Sequence, residues 1–162
     1  MDDKLVVKTA VKVSTVSIVL NIVLSMLKLL AGIFGKSMAM LSDAIHSLSD
    51  VFGSIIVIIG VKVSKKKEDA DHPFGHDRLE CLASLALGAI LFFTGAMLAY
   101  EGINKIYTKA PISTPGKIAL FAAIVSIIAK EGMFWYTKIN ANRINSDALR
   151  AEAWHHRSDA LS

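Results

Sequence analysis

Two stretches of the sequence share one arrangement: His46-Ser47-Leu48-Ser49-Asp50 and His155-His156-Arg157-Ser158-Asp159 both read H-x-x-x-D. On a helix, a spacing of four puts the imidazole and the carboxylate one turn apart on the same face. Two such helices packed face to face bring two nitrogens and two oxygens to one point. In a tetrahedron that donor set suits Zn²⁺, with Co²⁺, Cd²⁺, Fe²⁺ or Mn²⁺ as substitutes. Two carboxylates also neutralise one dication, which matters wherever uncompensated charge is expensive.

Two competing readings attach to the same residues. A single His/Asp pair at i, i+4 can simply stabilise a helix, but here the pattern is duplicated on two segments. His155-His156-Arg157-Ser158-Asp159 also matches the H-H-x-x-x-D signature of some acyltransferases, in which the second His is a general base. That reading predicts a soluble acyl-carrier site and leaves His46 and Asp50 unexplained.

A second cluster comprises Asp69, Asp71, His72, His76 and Asp77. His72 and His76 are again four apart, and Asp69 completes a three-ligand set if the chain enters a helix near Gly75. Pro73-Phe74-Gly75 between the histidines fixes a turn. The alternative is a solvated acidic loop with incidental histidines.

The elements that must position these residues are membrane helices. The chain has 162 residues, 53% of them apolar, with 18 Lys+Arg against 14 Asp+Glu and a mean hydropathy of +0.49. Its charges are bunched between long apolar stretches instead of spread over a surface. Cys81 to Tyr100 runs 20 residues without a charge or histidine, the length a helix needs to cross about 30 Å of hydrocarbon. One cysteine excludes a disulfide framework. The net charge of +4 raises nucleic acid as a partner, but the basic residues flank apolar spans and no aromatic-plus-basic face accompanies them. An all-α, polytopic transmembrane bundle is therefore expected.

Its helices are expected at about Ser14 to Phe34, Ser37 to Val63, Leu79 to Tyr107 and Pro115 to Ile139. A polar connection, Asn140 to Ser146, precedes a fifth helix capped by Ser146 or Asp147. A signal peptide is disfavoured at the first span, which is too long and lacks an A-x-A cleavage site. The fifth segment has no apolar second half, so residues 1–162 are expected to be the truncated transmembrane part of a longer protein. With the N-terminus in the cytoplasm, that side receives Lys4, Lys8, Lys12, Lys62, Lys65, Lys66, Lys67, Arg78, Lys138, Arg143 and Arg150. The other side receives Lys36, Lys105, Lys109 and Lys117. The bias predicts the N-terminus inside. Ionisable residues within a span cost at least about 2.5–3.5 kcal/mol each. On that ground His46, Asp50, His155 and Asp159 are functional candidates, while Lys28, Lys130 and Glu131 are assigned to pairing or snorkelling within the bundle.

Four motifs in this order make the sequence resemble the cation diffusion facilitators. They are Leu41-Ser42-Asp43-Ala44-Ile45-His46-Ser47-Leu48-Ser49-Asp50, Asp71-His72-Pro73-Phe74-Gly75-His76-Asp77-Arg78-Leu79-Glu80, Lys130-Glu131-Gly132-Met133 and His155-His156-Arg157-Ser158-Asp159. The resemblance implies six transmembrane helices and a cytoplasmic metal-binding domain, working as a homodimer that exports divalent metal in exchange for protons. The present chain would hold helices one to four and the start of five. A carrier is implied, not an enzyme, and a membrane metal sensor is the alternative. By the same resemblance the transport site falls on His46, Asp50, His155 and Asp159, and a loop site on Asp69, His72 and His76. Members with Asp at the position of His46 look like manganese or broader-spectrum carriers, so His46 points toward zinc. The short Lys-bearing N-terminus without a His-rich loop suggests a bacterial plasma membrane.

Overall fold

In the computed structural model, residues 3–35, 37–66, 75–76, 78–108 and 116–161 are described, apart from the side chains of residues 38, 98 and 101. They form five helices: α1 (Asp3–Phe34), α2 (Met38–Ser64), α3 (Arg78–Tyr107), α4 (Lys117–Ile144) and α5 (Asp147–Leu161). Helices α1 to α4 are long and apolar enough to cross a membrane. Among the described residues there is no strand, and the expected all-α membrane bundle is what the chain forms.

Helix α1 begins at Asp3, well before the expected Ser14. The reason is the amphipathic spacing of its first turns. Val6, Ala10 and Val13 are buried in a cluster with Val57 and Val61 of α2, Ala141 and Ile144 of α4 and Ala148 and Leu149 of α5. Lys4, Lys8 and Lys12 point away from it and are exposed. A charged first segment thus continues the helix because its apolar stripe has somewhere to go. Further along, α1 turns inside out: Ser14, Ser17, Asn21, Ser25 and Lys28 are buried, while Val19, Met26, Leu30 and Ile33 are exposed. Polar atoms inside and apolar ones outside is the distribution that a hydrocarbon solvent selects.

Polar pairs and close contacts fix the packing. Lys28 Nζ donates to Asp43 Oδ1 at 2.9 Å and to Ser47 Oγ at 2.8 Å, joining α1 to α2. Ser25 Oγ adds a bond to the Ala44 carbonyl at 2.7 Å. Between α2 and α3 the approach is closer still, since a Cβ on Gly60 would stand 2.4 Å from that of Ala83. Only a residue without a side chain permits it.

Helix α4 runs to Ile144, past the expected end at Ile139. Residues 140–144 continue it because Ala141 and Ile144 are buried against α1 and α5, and Asn140 bonds back to the Tyr136 carbonyl. The chain then reverses at Asn145, whose φ of 53° is left-handed, a conformation that asparagine tolerates better than most residues. Ser146 caps α5 as expected, its hydroxyl accepting from the Leu149 amide at 3.3 Å. The tight turn lays α5 back against α4, with α1, α2 and α3 on its other sides. Ser37 likewise caps α2, accepting from the Met40 amide.

Candidate metal site

Asp50 and Asp159 each sit one turn beyond a histidine on their own helix, and α2 and α5 turn those faces toward each other. His46 Nε2 lies 3.9 Å from Asp50 Oδ1 and 3.6 Å from Asp159 Oδ1. His155 Nε2 lies 3.1 Å from Asp50 Oδ1 and 3.7 Å from Asp159 Oδ2. One donor atom from each of His46, Asp50 and Asp159 falls within 4.8 Å of the others. Bonds of about 2.0–2.1 Å in a tetrahedron place neighbouring donors about 3.4 Å apart, the middle of the range observed. His46, Asp50 and Asp159 are thus spaced for one small dication, while His155 approaches Asp50 closely and faces the other oxygen of Asp159.

The site is enclosed on the α2/α5 side and open beside His46. The Asp50, His155 and Asp159 side chains are almost completely buried, whereas that of His46 is 31% exposed. His46 therefore sits at the mouth.

A fifth residue enters the site from α4. Lys130, only 1% exposed, reaches Asp50 Oδ2 at 2.7 Å and Asp159 Oδ2 at 2.8 Å. Its ammonium joins the two carboxylates that the spacing argument reserves for metal. Lys130 is thus paired, as expected, but its partners belong to the candidate site and not to a separate structural contact. A lysine one face of α4 away from an H-x-x-x-D pair leaves no spacing signature, because the relation is between helices. Lys28, by contrast, pairs with Asp43 away from the site. Glu131 is at the surface, where it accepts from Trp135 Nε1 at 3.0 Å.

Glu152, one turn before His155 on α5, is another residue that sequence spacing did not single out. It is 1% exposed, with Ser14 Oγ donating to Oε2 at 2.8 Å and Ser54 Oγ to Oε1 at 2.5 Å. The E-x-x-H-x-x-x-D run of Glu152, His155 and Asp159 is the pattern that could have revealed it. His156, the second histidine of the acyltransferase-like signature, points about 100° around the helix from His155. Its Nε2 stands 3.1 Å from Ser17 Oγ of α1.

Of the expected loop ligands, Asp69 and His72 lie outside the described residues. His76 is buried just before α3. It follows the far end of α2, about 20 Å along the axis from Asp50 at 1.5 Å per residue. The structure therefore does not bring His76 to the four side chains above.

Comparison with known proteins gives these residues a context. A family model described as the cation efflux transmembrane domain matches residues 14–162. An uncharacterized transporter of Methanocaldococcus jannaschii is 45% identical over 90% of this chain and 51% of its own length. The manganese efflux system protein MneP of Bacillus subtilis is 36% identical over 93% of this chain and 50% of its own. The magnetosome protein MamM of Magnetospirillum gryphiswaldense is 34% identical over 91% of this chain and 46% of its own. The chain spans about half the length of these relatives. A match reaching from the polar face of α1 through the facing H-x-x-x-D pairs of α2 and α5 places the chain in the cation efflux family, the cation diffusion facilitators.

Proposed function

We propose that the protein exports divalent metal, with Zn²⁺ as its main cargo, in exchange for protons by alternating access. The observation that carries this reading is the spacing of His46, Asp50, His155 and Asp159. Two imidazoles and two carboxylates meet where α2, a helix long and apolar enough to cross a membrane, packs against α5. Only unprotonated imidazole and ionised carboxylate can ligate, so metal entering the site displaces protons and protons entering it displace metal. A proton gradient can then drive the cycle, with histidine suited because its ordinary titration lies near physiological pH. The N-terminus faces the cytoplasm in this reading. In support, Lys4, Lys8, Lys62 and Lys65 gather around one groove at the same end of α1 and α2. The working unit is a homodimer in the plasma membrane, and Asp69, His72 and His76 hold a second, peripheral metal.

Uptake of radioactive Zn²⁺ into inside-out vesicles tests the proposal. Uptake should require an inward-acid pH gradient and vanish when His155 and Asp159 are both replaced by Ala. Uptake that is indifferent to both would refute exchange at this site. A manganese-preferring carrier is the second reading, favoured by the likeness to MneP, whose name records manganese efflux. Competition by Mn²⁺ against labelled Zn²⁺ in the same vesicles separates the two.

A further inference from the structure

Lys130 meets Asp50 Oδ2 at 2.7 Å and Asp159 Oδ2 at 2.8 Å, and its side chain is 1% exposed. The contact is three-sided: α2 supplies one carboxylate, α5 the other, and α4 the ammonium. A dication bound by Asp50, Asp159 and the two histidines needs the same carboxylates. With the ammonium still bridging them, two negative charges would face three positive ones within a few ångströms of each other. Like charges that close, shielded from water, repel strongly even at an effective dielectric of about 20. Metal and ammonium therefore compete for one place.

We propose that Lys130 is a tethered cation that exchanges places with the transported metal. It neutralises Asp50 and Asp159 when metal has left, and has to let go of both for metal to bind. This inference rests on the reading of His46, Asp50, His155 and Asp159 as the metal site and goes beyond it. The role gives the unloaded carrier a compensated core. Two bare carboxylates in a lipid-surrounded bundle are costly, and a residue that covers them makes the return stroke accessible without cargo. The ammonium also sets a threshold: any ion that binds has to outcompete it, which favours dications over monovalent ions.

The sign of one measurement separates this role from a structural one. A lysine that merely holds α2, α4 and α5 together should, when removed, loosen the site and weaken metal binding. A competitor should, when removed, strengthen it. Zn²⁺ binding is measured by equilibrium titration on the full-length protein in nanodiscs at alkaline pH, with Lys130→Met, Lys130→Arg and Asp50→Ala beside the wild type. Lys130→Met is expected to bind Zn²⁺ about tenfold tighter or more, from loss of a close like charge. Lys130→Arg, which keeps the charge, is expected to stay near wild type, and Asp50→Ala to lose binding. In vesicles Lys130→Met should exchange metal more slowly despite its tighter binding. Unchanged or weaker binding by Lys130→Met, with Asp50→Ala still defective, overturns the tethered-cation role and leaves the metal site standing. Normal binding by Asp50→Ala overturns both. If Lys130→Met alone does not fold, Asp159→Asn is compared with Lys130→Met/Asp159→Asn, whose remaining charges balance differently. The same tightening is required there, and its absence refutes the role.

Discussion

His155 Nε2 and Asp50 Oδ1 stand 3.1 Å apart although 105 residues separate them in the chain. That contact ties α5 to α2 at the point where the other oxygen of Asp50 is held by Lys130. Asp50 is therefore the hub of the site, meeting a side chain from α4 and one from α5.

Replacing His155 by Ala should remove a donor from the centre of this arrangement. Outer-shell partners of a metal alone are worth about 10–100-fold in affinity, so loss of a ligand should weaken Zn²⁺ binding by about 100-fold or more. Zn²⁺ affinity of the wild type should fall as pH is lowered, because each imidazole that gains a proton withdraws its donor. The variant, with one imidazole fewer, should show a shallower pH dependence and release fewer protons per metal bound. Titration in weakly buffered solution reads both quantities. Equal proton release by variant and wild type would show that His155 does not ligate.

Glu152 gives a prediction about stability in place of binding. Its two oxygens take bonds from Ser14 and Ser54, so it joins α1, α2 and α5 on one carboxyl group. Glu152→Ala leaves two buried hydroxyls without their acceptor and a cavity beside them, a loss of about 2–4 kcal/mol. Glu152→Gln keeps the shape and an acceptor oxygen, and should recover more than half of that. Denaturant unfolding in detergent micelles measures the difference. If the two variants were equally stable, the hydroxyl bonds would not be what holds the three helices.

How much of this was legible in sequence depends on whether a feature lies within a helix or between helices. The pairing of His46 with Asp50 and of His155 with Asp159 is a property of single segments, because i, i+4 residues share a face in any helix. The capping by Ser146 is local in the same way. Lys130 and Glu152 acquire their meaning only from the rotation of α4 and α5 about their own axes, which packing decides. The early start of α1 belongs with them. Residues 3–13 lie outside the expected first span, and they join it because Val6, Ala10 and Val13 find Val57, Val61 and Leu149. The end of α4 was obscured by polar residues, as Asn140 and Asn142 read as a connection although Ala141 and Ile144 are core.

Gly60 should be intolerant of even one added carbon. Its Cβ position lies 2.4 Å from Ala83 Cβ and 3.7 Å from the Leu79 carbonyl oxygen, so neither neighbour can rotate away. Gly60→Ala has to push α3 from α2. Overpacking of this kind costs about 1–3 kcal/mol, more than the gain of roughly 1 kcal/mol from replacing a mid-helix glycine by alanine. A double variant, Gly60→Ala/Ala83→Gly, should recover stability by returning the missing space. Thermal unfolding of the three proteins reads the cycle, and destabilisation that persists in the double variant would place the strain elsewhere.

Ion choice should turn on His46, the candidate ligand at the mouth of the site. Its Nε2 stands 3.9 Å from Asp50, farther than that of His155, and 3.6 Å from Asp159, and its partial exposure leaves room for a shorter side chain to be supplemented by water. His46→Asp exchanges a nitrogen for oxygen and adds a third carboxylate. Oxygen-rich sites suit Mn²⁺, whereas imidazole suits Zn²⁺, and the additional negative charge favours larger dications that tolerate higher coordination. The substitution should therefore raise Mn²⁺ and Cd²⁺ exchange relative to Zn²⁺ by about tenfold, the effect of roughly 1.4 kcal/mol in relative affinity. Vesicle uptake with each labelled ion alone, and then in competition, gives the ratio. An unchanged ratio would mean that Asp50, His155 and Asp159 set the preference without His46, and that the mouth of the site is only an entrance.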